Sequence, residues 1–169
     1  NVYRKPKIAV IVTGNELTKP GEILLPGRIY ESNSATLTSV LKHAGFDSSL
    51  VTVKDDFNST KETIGNAIDQ NDVVIITGGI SVGDYDFVGR ALAELHVEEV
   101  FYKVKQKPGK PLFYGKKGDK SIFALPGNPA AVLTCYYMYV LTAIKSLIGI
   151  STPMLEEREV SILHDFIKK

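Results

Sequence analysis

The sequence predicts an α/β fold, a three-layer α/β/α sandwich with a mainly parallel sheet. Three observations carry this. Short β-branched apolar runs alternate with segments of helical period, each of the first and third runs closes on glycine, and the composition is that of an ordinary globular chain. Its 169 residues are 44% hydrophobic and 23% charged, with one cysteine and no tryptophan. Such a composition excludes disorder, collagen and a disulfide scaffold.

Residues 7–13 (KIAVIVT) read as a strand buried on both faces. Residues 15–28 hold Pro20, Gly21, Pro26 and Gly27 and read as a loop. Residues 32–44 place Leu37, Val40, Leu41 and Ala44 at helical spacing, with Gly45 suited to the position after the helix. Residues 50–54 form the second strand. A capping-box pattern at residues 59–62 (STKE) is expected to open the next helix, whose apolar face is Ile64, Ala67 and Ile68.

Residues 72–77 (DVVIIT) are a third buried strand, ended by Gly78 and Gly79; residues 87–95 read as a helix and 97–105 as a strand. Residues 112–115 and 121–125 flank a turn-rich stretch and read as a hairpin. Asn128 followed by Pro129 marks a helix start, and that helix is expected to run to about residue 148 and stop at Gly149. Its apolar stretch is interrupted by Thr134, Thr142, Lys145 and Ser146, which reads as a buried helix rather than a membrane span.

The expected domains are therefore an α/β unit over 1–149 and, over 150–169, the start of an incomplete β domain in which Val160 and Ile162 alternate around Ser161. The start at Asn1, close to an apolar run, reads as a cut from a longer protein. With a lone cysteine and no signal-peptide pattern, the expected location is the cytoplasm.

Twenty basic against nineteen acidic residues leave a formal charge of +1, which argues against a broad nucleic-acid surface. Anion binding must come from local geometry. In open parallel sheets ligands bind beyond the carboxyl ends of the strands. The first three strands lead into Glu16, into Asp55 and Asp56, and into Asp84 and Asp86. Carboxylates facing one crevice repel one another unless a hard cation such as Mg²⁺ compensates. Each alone is more often a turn former or cap.

Three further segments qualify. Gly78, Gly79 and Gly83 surround a strand-to-helix turn that would let backbone N–H groups approach an anion; tight-turn packing is the plain alternative. In the Gln106–Pro111 segment (QKPGKP), Lys107 and Lys110 flank a Pro-Gly pair, and proline stiffens the loop that would aim both ammonium groups at an anion; a solvated turn explains it equally well. Pro126 and Gly127 feed a helix N-terminus at Asn128, a second possible anion site or simple helix initiation. His43, His96 and His164 have no ligand spacing. Cys135 reads as inert core, and Tyr136, Tyr137 and Tyr139 as packing on the sheet or at a subunit contact.

Taken in order, TGNEL (13–17), ESNS (31–34), KDD (54–56), GGISVGDYDFV (79–88), KPGKP (107–111) and LPGNPAAV (125–132) resemble the molybdopterin-binding domain of MoeA-type molybdopterin molybdenumtransferases. The E domains of the plant enzyme and of gephyrin are similar, and the MoaB/MogA-like superfamily shares the molybdopterin-binding fold. The resemblance implies insertion of molybdate into adenylylated molybdopterin with release of AMP, a Mg²⁺-type divalent cation, and a homodimer in the full-length protein. It implies Glu16, Asp55 and Asp86 as active-site carboxylates and metal ligands. Lys107 and Lys110 would meet molybdate or phosphate, Pro108 and Pro111 would shape the pocket, and Gly79, Ser81, Gly83 and Asp84 would line the anion loop. Ser32, Asn33, Pro126, Gly127 and Asn128 complete the expected substrate contacts. Two other functions occur within the same superfamily resemblance. A MogA-type adenylyltransferase would favour a GGTG loop, where this chain has Gly78-Gly79-Ile80-Ser81. A gephyrin-like scaffold would hold a partner peptide through a C-terminal domain.

Overall fold

In the computed structural model, residues 2–53, 56–80, 87–161 and 163–165 are described. The alternating runs become β1 (Ile8–Thr13), β2 (Leu17–Thr18), β3 (Ile29–Tyr30), α1 (Asn33–His43), β4 (Ser48–Val53), α2 (Phe57–Gln70), β5 (Val73–Thr77), α3 (Phe87–Glu94), β6 (Glu98–Tyr102), β7 (Phe113–Lys117) and β8 (Lys120–Leu125). A long helical run follows as α4 (Pro129–Cys135), a π-helical turn (Tyr136–Val140) and α5 (Leu141–Leu147). Six strands form one sheet in the order β4-β1-β5-β8-β7-β6. β4, β1, β5 and β8 pair in parallel, and only β7 runs against its neighbours.

The period-2 alternation of a strand sends successive side chains to opposite faces. In β1, Ile8, Val10 and Val12 join Leu37, Leu41, Val132, Tyr136 and Ile144 in one core, against α1 and the long helix. Ala9 and Ile11 join Ile64, Ile68, Val88 and Leu92 in the other, against α2 and α3. Both faces are covered, which is why β1 and β5 read as continuous apolar runs. The expected sandwich and its mainly parallel sheet are found.

Four expectations are corrected. The cap of α2 is Asp56, whose carboxylate accepts the Ser59 N–H at 2.8 Å, rather than Ser59 itself; the helix starts three residues earlier than the STKE pattern placed it. That bond holds the Asp56 carboxyl below its usual range. The 15–28 loop is not wholly irregular, because Leu17 and Thr18 pair with Ile29 and Tyr30 in a small parallel ladder. The long helix is not uniformly α, since the Leu141 N–H reaches back to the Tyr136 carbonyl across the wide π turn. Among the described residues of the tail there is no strand at Val160, and Ile162 lies outside them.

The run Pro129–Leu147 has the length and apolarity of a membrane span, yet its inner face fills the core against the sheet.

Candidate functional site

The chain leaves β1 through α1 to reach β4 on one side, and leaves β4 through α2 to reach β5 on the other. The sheet therefore reverses its winding between β1 and β5, where a crevice opens beyond the carboxyl ends. The loops that meet there are fixed by glycine. Gly78 has φ +84°, and a Cβ on it would stand 2.1 Å from the Thr13 carbonyl oxygen. Gly79 has φ +61°, and its Cβ would lie 2.8 Å from the side chains of both Thr13 and Val88. A Cβ on Gly127 would lie 3.8 Å from the Gly78 Cα, so the loop after β8 runs beside the loop after β5.

Asn33, in the first turn of α1, ties these loops together. Its buried amide Nδ2 donates to Thr77 Oγ1 at 3.1 Å and to the Gly127 carbonyl at 2.9 Å. The Thr77 hydroxyl in turn donates to the Pro126 carbonyl at 3.3 Å. Asn33 Oδ1 is buried and has no partner among the described residues. Ser32 caps α1 through its backbone, its carbonyl accepting the Thr36 N–H, and makes no side-chain cap. Asn128 spends its side-chain oxygen on the Ala130 and Ala131 N–H groups at 3.0 and 3.2 Å, so those donors of the helix start are already engaged.

The loop after β6 lies on the same edge, because β6 runs parallel to β8. Lys107, Pro108 and Lys110 are exposed, Pro111 is half-buried and Gly109 is buried. The Val104 N–H donates to the Lys110 carbonyl and the Lys103 N–H to the Leu112 carbonyl, which closes the loop at its base. The Lys107–Pro108 peptide is cis. Gln106 Nε2 donates to the Pro108 carbonyl at 2.8 Å, and the Gln106 Oε1 accepts the Tyr139 hydroxyl at 2.9 Å. Burial pushes the Cys135 thiol beneath this loop up to about 11, in keeping with an inert core position.

A cavity of about 730 Å³ opens between the ends of β1 and β4 and the β2–β3 ladder. Among its walls are Asn15, Thr18, Lys19, Arg28, Glu31 and Ser34. Glu31 accepts the Ser34 N–H at 2.8 Å and the Ser34 hydroxyl, so an anionic side chain already occupies the start of α1. Thr18 Oγ1 is buried and has no partner among the described residues. Of these residues, sequence reasoning quoted Glu31 and Ser34 only within a motif and missed the cationic Lys19 and Arg28. The Glu31–Ser34 spacing, an acidic side chain three residues before a helical N–H, was the available signal.

Glu16 is exposed in the loop after β1, and its carbonyl accepts the Ile29 N–H at 3.0 Å. Asp55, Ser81, Gly83, Asp84 and Asp86 lie outside the described residues. Among the described residues no three His, Cys, Asp or Glu side chains cluster closely enough to hold a metal ion. The donors expected for a cation, Glu16 with Asp55 and Asp86, are all carboxylates, the oxygen ligands a hard cation takes.

Comparison with known proteins follows the same map. The family described as "Probable molybdopterin binding domain" matches residues 9–146. The chain is 37% identical over 168 residues to the molybdenum cofactor synthesis protein cinnamon of Drosophila melanogaster, covering 98% of this chain and 28% of that protein. It is 40% identical over 154 residues to a molybdopterin molybdenumtransferase of Nostoc sp., covering 89% of this chain and 35% of that protein. The solved molybdopterin biosynthesis MoeA protein of Pyrococcus horikosii superposes with a TM-score of 0.75 at 35% identity, over 87% of this chain and 36% of that one. The chain thus spans about a third of the length of these relatives.

Proposed function

Because the chain belongs to the family of molybdopterin-binding domains, we propose that it is the pterin-binding part of a molybdopterin molybdenumtransferase. That enzyme inserts molybdate into adenylylated molybdopterin and releases AMP. The observation that carries this reading is the latched loop after β6, which holds exposed Lys107 and Lys110 on the same carboxyl edge of the sheet as the switch-point crevice.

The substrate bears a pterin phosphate and a pyrophosphate linkage to adenosine, and molybdate is a second anion. Two ammonium groups on a loop closed at its base offer charge at a fixed place, with little ordering cost when an anion arrives. The glycines after β5 and β8 let the loops of the crevice pack closely on one another, and Asn33 keeps the loops after β5 and β8 in one arrangement. Asn33 Oδ1, which has no partner among the described residues, is an acceptor beside them. Once the anions are bound side by side, exchange onto the dithiolene sulfurs is mainly a matter of positioning. A divalent cation held by Glu16, Asp55 and Asp86 would offset charge at the phosphoanhydride that is broken. Ser81, Gly83 and Asp84 would complete the anion loop begun by Gly79. Homodimerisation and cytoplasmic location belong to the same reading.

The test supplies adenylylated molybdopterin, Mg²⁺ and molybdate to the complete protein. AMP is expected only when molybdate is present, and Asp86→Ala is expected to abolish its release while preserving the circular-dichroism spectrum. AMP release without molybdate, ATP consumption, or unchanged turnover in Asp86→Ala would overturn the assignment.

A further inference from the structure

Two residues outside the lysine motif connect its loop to the long helix. The Pro108 carbonyl can only accept, so the Gln106 amide must turn Nε2 towards it. Oε1 is left facing Tyr139, whose hydroxyl must then donate. The relay runs Tyr139 Oη–Gln106–Pro108 and ends between the two lysines. Gly109, with φ +102°, is folded onto the same amide: a Cβ there would meet Gln106 Nε2 at 2.6 Å and Cys135 Sγ at 2.7 Å. The loop tip is thus pressed against the helix while Lys107 and Lys110 stay in solvent.

The π turn gives Tyr139 this role. Tyr136 is fully buried and donates to the Val40 carbonyl of α1 at 3.1 Å. Tyr139, three residues on, serves the loop instead, and a turn wider than α opens the angle between them. The Tyr139 ring also packs on Phe101, with centroids 6.1 Å apart.

We propose that Gln106 and Tyr139 are positioning residues of the anion site, setting where Lys107 and Lys110 present their charges without touching substrate. This rests on the reading of the loop as an anion site, and the test separates the two. In the complete protein, Lys110→Ala identifies which KM, that of molybdate or that of adenylylated molybdopterin, depends on the loop. Tyr139→Phe keeps the ring against Phe101 and removes only the hydroxyl; Gln106→Leu removes the bonds to Tyr139 and Pro108 together with the long Nε2 contact to Cys135 Sγ at 3.8 Å.

Tyr139→Phe is expected to raise that same KM about fivefold, the loss of one ordinary hydrogen bond, and Gln106→Leu to raise it at least as far, with kcat and the other KM unchanged. The double variant is expected to be no worse than Gln106→Leu alone, because the two groups act in series. If Lys110→Ala raises a KM while Tyr139→Phe and Gln106→Leu leave it unchanged, the positioning role is wrong and the anion site stands. If Lys110→Ala raises neither KM, the anion-site reading falls and this inference with it.

Discussion

Gly78 and Thr13 are in such close approach that a single methyl on Gly78 would lie 2.1 Å from the Thr13 carbonyl oxygen. Thr13 ends β1 and Gly78 directly follows β5, the strands between which the sheet reverses its winding. At that seam the backbones pack on each other directly, with the buried Thr77 hydroxyl and Asn33 amide on one side. The crevice beyond the carboxyl ends is therefore built on a floor of main chain.

Gly78→Ala follows directly. The new methyl would collide with backbone, which cannot swing aside as a side chain can, and φ +84° is unfavourable for alanine in any surroundings. A destabilisation of roughly 3 kcal/mol or more is expected. Thermal unfolding should show it as a fall in Tm on the order of 10 °C. A Tm within 2 °C or so of the parent would mean that the β1–β5 seam is looser than described.

A pH dependence is written into the opposite edge of the sheet. Arg4 makes two hydrogen bonds of 2.7 Å to Asp72, and the Lys7 N–H donates to the same carboxylate at 2.7 Å. The Arg4 bond is the main reason that Asp72 titrates near about 2. A carboxylate depressed in the folded state contributes stability above its unfolded pKa and loses it as pH falls through the folded value. The window here runs from about 4 down to about 2. Discounted for the exposed arginine, the contribution is about 1 kcal/mol. Asp72→Asn should therefore unfold at lower denaturant than the parent at pH 7, and the gap should close by pH 2. A gap independent of pH would assign the effect to something other than charge.

How much of this was legible in the sequence follows from what each feature depends on. β1 and β5 were legible because both faces are buried and the apolar run is unbroken, and the Asn128-Pro129 helix start because its chemistry is local. The α2 start was misread because Ser59 and Glu62 fit a capping box by spacing, while Asp56 competes for the same N–H and wins. The long helix was found, but a π turn has no sequence signature of its own, so Tyr139 read as packing. Its partner Gln106 lies 33 positions away in sequence, and only the fold puts them together. Lys107 and Lys110 stood out as a motif; the residues that hold their loop did not.

Asn33 offers the sharpest test of the crevice, because its two ends have unlike surroundings. Nδ2 donates to Thr77 and Gly127, while Oδ1 has no partner among the described residues. Asn33→Ala removes the tie but leaves the Thr77 hydroxyl on the Pro126 carbonyl, so the cost should be modest, about 1–2 kcal/mol. Asn33→Asp keeps the shape and replaces the donor with an acceptor facing the Gly127 carbonyl. Ionised, that carboxylate is repelled by the carbonyl; protonated, it can donate to it. Asn33→Asp should therefore be less stable than Asn33→Ala at pH 7 and approach the parent as pH falls below about 5, where a carboxyl beside an acceptor takes up its proton. Denaturant midpoints for the three proteins across that range decide it. Asp and Ala variants that track each other at every pH would show that the loops after β5 and β8 are held by something other than the Asn33 amide.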